Sequence, residues 1–165
     1  MLAFVLTALF AFVLIAPVFA APPSAYYDFY AGQTIDVGDI QIGNDETKLY
    51  INIDIDPKWQ IVQTKVAVVT NPNDFPMTGS GNPKVGHFPY NGLNTFTITL
   101  PAGVGEGGTL YIAVHSIVLG IGANNLGQRE TAWGTFCRSD PDNNPPTAAE
   151  FPGNNWATYL IYTVT

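Results

Sequence analysis

Apolar and polar residues alternate along most of this chain with a period of two. The clearest case is residues 49–56, where Leu49, Ile51, Ile53 and Ile55 point one way and Tyr50, Asn52, Asp54 and Asp56 the other. Such alternation predicts a strand with one buried face and one wet face. It also sets the register, because a slip of one residue would bury the aspartates. Residues 95–100 repeat the pattern, with Phe96, Ile98 and Leu100 set against Thr95, Thr97 and Thr99. In residues 109–119, Leu110, Ile112, Val114, Ser116 and Val118 share one face, and Tyr111, Ala113, His115, Ile117 and Leu119 the other. Both faces are largely apolar, which predicts a strand central to the domain. Further strands are expected at 26–31, 33–42, 59–70 and 155–165, with a short piece at 130–133. Gly38-Asp39 interrupts the alternation and predicts a bulge. Beyond residue 20, no ten-residue stretch repeats with the helical period. Seven or eight strands in this arrangement predict an all-β chain, an antiparallel β-sandwich of jelly-roll or immunoglobulin-like type.

The stretches 71–94, 101–108 and 120–154, apart from 130–133, hold most of the Gly, Pro and Asn and are expected to be loops. Loops this long are usually functional or disordered. Phe75, Phe88, Tyr90, Phe136 and Phe151 lie in them, with Trp133 in the short strand piece they flank, and disordered segments are poor in aromatics. Ordered loops folded over the ends of the sandwich are therefore expected. Gly103-Val104-Gly105-Glu106-Gly107-Gly108 precedes a strand, so it is a hairpin loop and not a phosphate cradle.

The first twenty residues, MLAFVLTALFAFVLIAPVFA, contain no charged side chain. A short apolar run ending in small residues, with Val18 and Ala20 before the cut, is the pattern of a secretory signal peptide. Cleavage is expected after Ala20, or as late as Ala25, leaving residues 21–165 as a single domain. The alternative is a retained anchor. However, a spanning helix needs about 20 apolar residues, and Pro17 lies near the end of this run. Export would place the mature chain in an oxidising, extracellular setting.

Six basic and thirteen acidic residues give a formal charge of −7. An acidic chain has no electrostatic footprint for nucleic acid or for an anionic membrane, so neither is expected as a partner. Charged residues make up only 12% of the chain while aromatics reach 13%. That composition suits contact with a neutral glycan or surface polymer, or with other copies of the chain.

Candidate chemistry is sparse. Cys137 is the only cysteine; it is either a small buried thiol or the source of an intermolecular disulfide. Asp140, Asp142 and Asn144 lie in a loop that could offer oxygen ligands to calcium, although turn-forming Asp and Asn explain the same residues. No other cofactor is indicated. Asn52, Asp54 and Asp56 are about 7 Å apart along one strand, too far for that strand alone to enclose a cation. His87 and His115 fit no zinc spacing. There is no GxSxG elbow, and a glycosidase's carboxylate pair cannot be picked out from sequence. No catalytic residue is assigned. Trp133, Tyr90, Phe88, Asn143 and Asn144 are the candidate ligand contacts, with aromatic rings stacking on sugars and amides bonding to hydroxyls. Core packing is the competing role for Trp133.

Arg129-Glu130-Thr131-Ala132-Trp133-Gly134 and Asn154-Asn155-Trp156-Ala157-Thr158-Tyr159 resemble a group of secreted all-β proteins and modules with ETAWG…NWATY segments. Residues 27–37, with Phe29-Tyr30-Ala31-Gly32-Gln33, are similar to the start of the same group. The resemblance implies secretion and a β fold and carries no activity. Three functions are therefore expected to compete. The first is a non-catalytic adhesive or glycan-contacting domain. The second is a structural subunit whose aromatic N-terminal segment adds to a neighbour's sheet edge. The third is a secreted glycan-active hydrolase.

Overall fold

The structure is a computed structural model that describes residues 24–136 and 147–165. The expected signal segment, residues 1–20, lies outside the described residues. Ten strands follow in order: β1 Ser24–Ala31, β2 Ile35–Asn44, β3 Lys48–Ile55, β4 Trp59–Val69, β5 Tyr90–Gly92, β6 Thr95–Thr99, β7 Thr109–Gly120, β8 Arg129–Thr135, β9 Ala148–Glu150 and β10 Thr158–Thr163. Two short 3-10 turns, Pro72–Asp74 and Val85–His87, interrupt the loop after β4.

All pairings are antiparallel, in the order β5-β4-β7-β8-β1-β2-β3-β6. The two ends of this path, β5 and β6, are consecutive in the chain and lie against each other, so the sheet nearly closes into a barrel. At that seam a Cβ on Gly92 would meet the Phe96 ring at 3.1 Å. The expected all-β, antiparallel character holds, and the eight expected strands are present. The two additional strands, β5 and β9, are three-residue pieces inside stretches expected to be loops. Neighbouring strands hold them in place, since three residues are too few to show an alternating pattern.

β7 is the central strand, as its two apolar faces predicted. One of its edges pairs with β4 along nearly the whole length. The other edge is shared, with His115–Leu119 pairing to β8 and Thr109–Ile112 to β10. The sheet forks there, and the Thr158 hydroxyl seals the fork by donating to the Gly134 carbonyl at 2.7 Å. Gly134 leaves no room for a side chain, because a Cβ would stand 2.7 Å from Ile40 Cδ1.

The main core fills the space the sheet encloses. β3 delivers Leu49, Ile51 and Ile53 into it and keeps Tyr50, Asn52 and Asp54 exposed, as alternation requires. The bulge expected at Gly38-Asp39 is present: Phe29 pairs with Gly38 and Tyr30 with Asp36, leaving Val37 unpaired. Gly38 has φ +139°, and a Cβ there would collide with the Asp54 carbonyl. Only glycine fits that backbone.

Two hydroxyls sit deep in this core. Thr64 Oγ1 and Ser116 Oγ, opposite each other on β4 and β7, are 2.6 Å apart with no exposure to solvent. Thr64→Val or Ser116→Ala alone leaves one buried hydroxyl unpaired, at a cost of about 1–3 kcal/mol. The double substitution removes both groups and should cost clearly less than the sum. Urea unfolding of the four proteins measures the coupling directly, and additive losses would show that the pair is not a unit.

A second, smaller core lies on the outer face of β4, β7 and β8. Residues from 71–89 and from 147–157 bring Phe75, Phe88 and Phe151 onto Ala67, Ala113 and Trp133. The parts of the long loops at 71–89 and 147–157 pack as expected, but they cover a sheet face and not the ends. Trp133 and the apolar outer face of β7 give them a surface to bury.

Candidate functional site

These loops make the molecule two-sided. The outer face of β4, β7 and β8 is covered, while no described loop covers the outer face of β1, β2, β3 and β6, which is open at most of its outward positions, Asp28 and Gly43 being buried. Strand register arranges that bare face in rows. Tyr26, Gln41, Asn52 and Thr95 are directly opposite one another across the four strands. The next row is Ser24, Gly43, Tyr50 and Thr97. On the other side of the Tyr26 row, Asp28, Asp39 and Asp54 line up across three strands.

A shallow groove of about 310 Å³ crosses this face, lined by Ser24, Gln41, Gly43, Tyr50, Asn52 and Thr97 among others. Gly43 supplies the hollow, as the one position in its row without a side chain. Tyr26 and Tyr50 are 60% and 37% exposed. They stand two strand spacings apart, about 10 Å, and one two-residue step along, about 7 Å.

The Tyr50 ring is held in place. Its hydroxyl donates to Asp45 Oδ2 at 2.6 Å, and Asp45 Oδ1 accepts the backbone N–H groups of Thr47 and Lys48. The Tyr50 hydroxyl and these N–H donors hold the Asp45 carboxyl down at about 2, so it stays ionised, and the same contact raises the Tyr50 phenol. Gln41 donates to Ser24 Oγ, and Lys48 Nζ to Thr99 Oγ1. The side chains of Asn52, Thr95 and Thr97 make no hydrogen bond among the described residues and can bond to a ligand.

Partial burial, then the neighbouring carboxylates Asp36, Asp28 and Asp54, raise the Asp39 carboxyl above the usual range. Its ionised form therefore weakens the fold at neutral pH, and protonation as pH falls through the raised value relieves that strain. Among the described residues, no group of three or more His, Cys, Asp or Glu is placed to hold a metal ion.

The residues expected from sequence lie elsewhere. Trp133 is 5% exposed and Phe88 3%. Both pack in the second core, so neither offers a ring face for stacking in this arrangement. Tyr90 is half-buried against the main core. Asn143, Asn144, the calcium candidates Asp140, Asp142 and Asn144, and Cys137 lie outside the described residues. The aromatic N-terminal segment, expected to be a strand donor, belongs to this chain's own sheet. It pairs with β2 along its full length and with β8 from Asp28 to Ala31.

A larger open cleft, about 440 Å³, lies where β8 and β9 part, with Tyr30, Phe136, Glu150 and Trp156 in its walls. Phe136 and Thr147 flank residues 137–146, which lie outside the described residues, whereas the strands of the open sheet face are described throughout. No helix among the described residues is long and apolar enough to cross a membrane.

The alternation in the sequence sets Tyr50 with Asn52 and Asp54 on a solvated strand face and does not by itself mark a site. The available signal was an aromatic among polar wet-face residues. Its alignment with Tyr26 and Gln41 depends on strand register that no local pattern reveals. Comparison with protein-family models, curated proteins and solved structures returns no match.

Proposed function

We propose that this protein is a secreted, non-catalytic domain that holds a polyhydroxylated surface polymer, a glycan, against the bare face of β1, β2, β3 and β6. The finer architecture in this reading is a sandwich, in which β5-β4-β7-β10-β9 packs over β8-β1-β2-β3-β6. The leader segment supports export.

One observation carries the reading. Loops with their own aromatic core seal one side of the molecule, while the other side leaves two tyrosines and a row of amides and hydroxyls open to solvent. Tyrosine faces stack on the apolar faces of sugar rings, and Gln41, Asn52, Thr95 and Thr97 match their hydroxyls. Stacking without hydrogen-bonding groups would be indiscriminate, and hydrogen bonds alone gain little against water. The groove combines both around a ring that Asp45 already holds still, which lowers the ordering cost of binding.

The test is retention of the mature protein on a panel of immobilised neutral polysaccharides. At least one should retain the wild type. Tyr50→Ala should weaken binding about tenfold, and Tyr26→Ala/Tyr50→Ala should abolish it with an unchanged melting temperature. If no neutral polysaccharide retains the protein, or if the paired substitution leaves retention intact, the reading fails.

A further inference from the structure

Resting on that reading, we propose that the bare face admits uncharged glycans and turns away anionic ones, with Asp39 and Asp54 as the discriminating residues. The Asp28–Asp39–Asp54 row lies one two-residue step, about 7 Å, from the Tyr26–Gln41–Asn52 row. That is within the screening length of about 8 Å at physiological ionic strength, so a ligand in the groove feels these charges.

Asp39 and Asp54 are exposed, and neither has a cationic partner among the described residues, where Lys58–Asp56 is the ion pair present. Lys48 is the one cation among the outward positions of these four strands. It lies at the opposite end of β3 from Asp54, with its ammonium bonded to Thr99. The chain's net charge of −7 adds a field of the same sign. A uronate or sulfate ester laid across Gln41 and Asn52 would therefore face the Asp39 and Asp54 carboxylates, which have no cationic partner among the described residues. A neutral hexose polymer offers hydroxyl donors that the same carboxylates accept. Like charges directly opposite each other also weaken a sheet. The fold carries that cost beside the groove, where a local rule broken at a functional site is expected.

The experiment uses a neutral glucan oligomer and the same oligomer oxidised to the glucuronate, titrated calorimetrically into the mature protein at low salt. The wild type should bind the neutral oligomer at least about tenfold more tightly. In Asp39→Asn/Asp54→Asn the ratio should shrink, mainly through gained affinity for the glucuronate, and the gain should fade as salt is raised. This variant loses repulsion, so its melting temperature should equal or exceed that of the wild type. Equal wild-type affinity for both oligomers, or an unchanged ratio in the variant, overturns the charge selection and leaves the glycan site standing. If no polysaccharide of the neutral panel retains the wild type, the glycan reading of the face is overturned and this inference with it.

Discussion

Trp133→Ala should cost the domain about 3–5 kcal/mol, the range for truncating a buried large aromatic. Trp133 is 5% exposed and forms the centre of the second core. Its ring lies 4.8 Å from His115, 6.4 Å from Phe88 and 6.1 Å from Phe151, centroid to centroid. Those neighbours come from β7 and from two separate loops, so no single movement can close the cavity left behind. A loss of this size is a large part of the stability of an ordinary domain, and the melting temperature should fall by on the order of 10 °C.

His115 provides an independent readout of the same substitution. Burial holds its imidazole down at about 4, well below the ordinary histidine value. Because the folded state resists protonation, stability contributed by the neutral ring is intact above about 6.5 and is lost progressively as pH falls towards 4. Removing Trp133 lets water reach the ring, so its pKa should climb back towards the ordinary value, as seen by NMR titration. A variant that kept both its melting temperature and its depressed histidine would show that Trp133 is not a core residue.

The same residue shows where sequence reasoning succeeds and where it stops. The aromatics Phe75, Phe88 and Phe151 pointed to packed loops, because such side chains need burial. They did not reveal what would bury them. The answer is the outer face of β7, whose Tyr111, Ala113 and His115 had marked it as a doubly covered strand. The two observations belong together, but only the folded chain brings them side by side. Alternation placed β3 and its faces correctly, and Gly38 marked the bulge in β2, because both are local properties of the backbone. Tyr26 and Tyr50 are a different case. Tyr50 is legible as a wet-face aromatic, yet its place one row from Tyr26 depends on β1 pairing with β2 and β2 with β3 in one register. Distant pairing also explains β5 and β9, whose three residues become strands only because β4 and β10 offer free edges.

Asn44→Ala should be nearly as damaging as the loss of Trp133. The run Gly43-Asn44-Asp45-Glu46 has the composition of a turn. In the fold Asn44 is 3% exposed and joins β2 to the C-terminal strand. Its Oδ1 accepts from the Tyr162 hydroxyl at 2.6 Å, the Thr165 amide at 3.0 Å and the Thr165 hydroxyl at 3.3 Å. Its Nδ2 donates to the carbonyls of Thr165 at 2.9 Å and Asp45 at 3.0 Å. Alanine would strand several of these groups at once in a site that admits little water. Each buried group left unpaired costs about 1–3 kcal/mol, and partial rehydration brings the expected total to about 3–4 kcal/mol.

Asn44→Asp separates the donor role from the acceptor role. The new carboxylate could still accept from Tyr162 and Thr165, but it would lose both donated bonds and stand beside ionised Asp45. Burial and that neighbour would raise its pKa, so the variant should be weak at neutral pH and recover as acid restores a proton to donate. Urea midpoints for Asn44→Asp and the wild type, compared at neutral and mildly acidic pH, measure this. A deficit that does not narrow on acidification would mean that the donated bonds carry little of the stability and that Tyr162 and Thr165 rely on the acceptor alone.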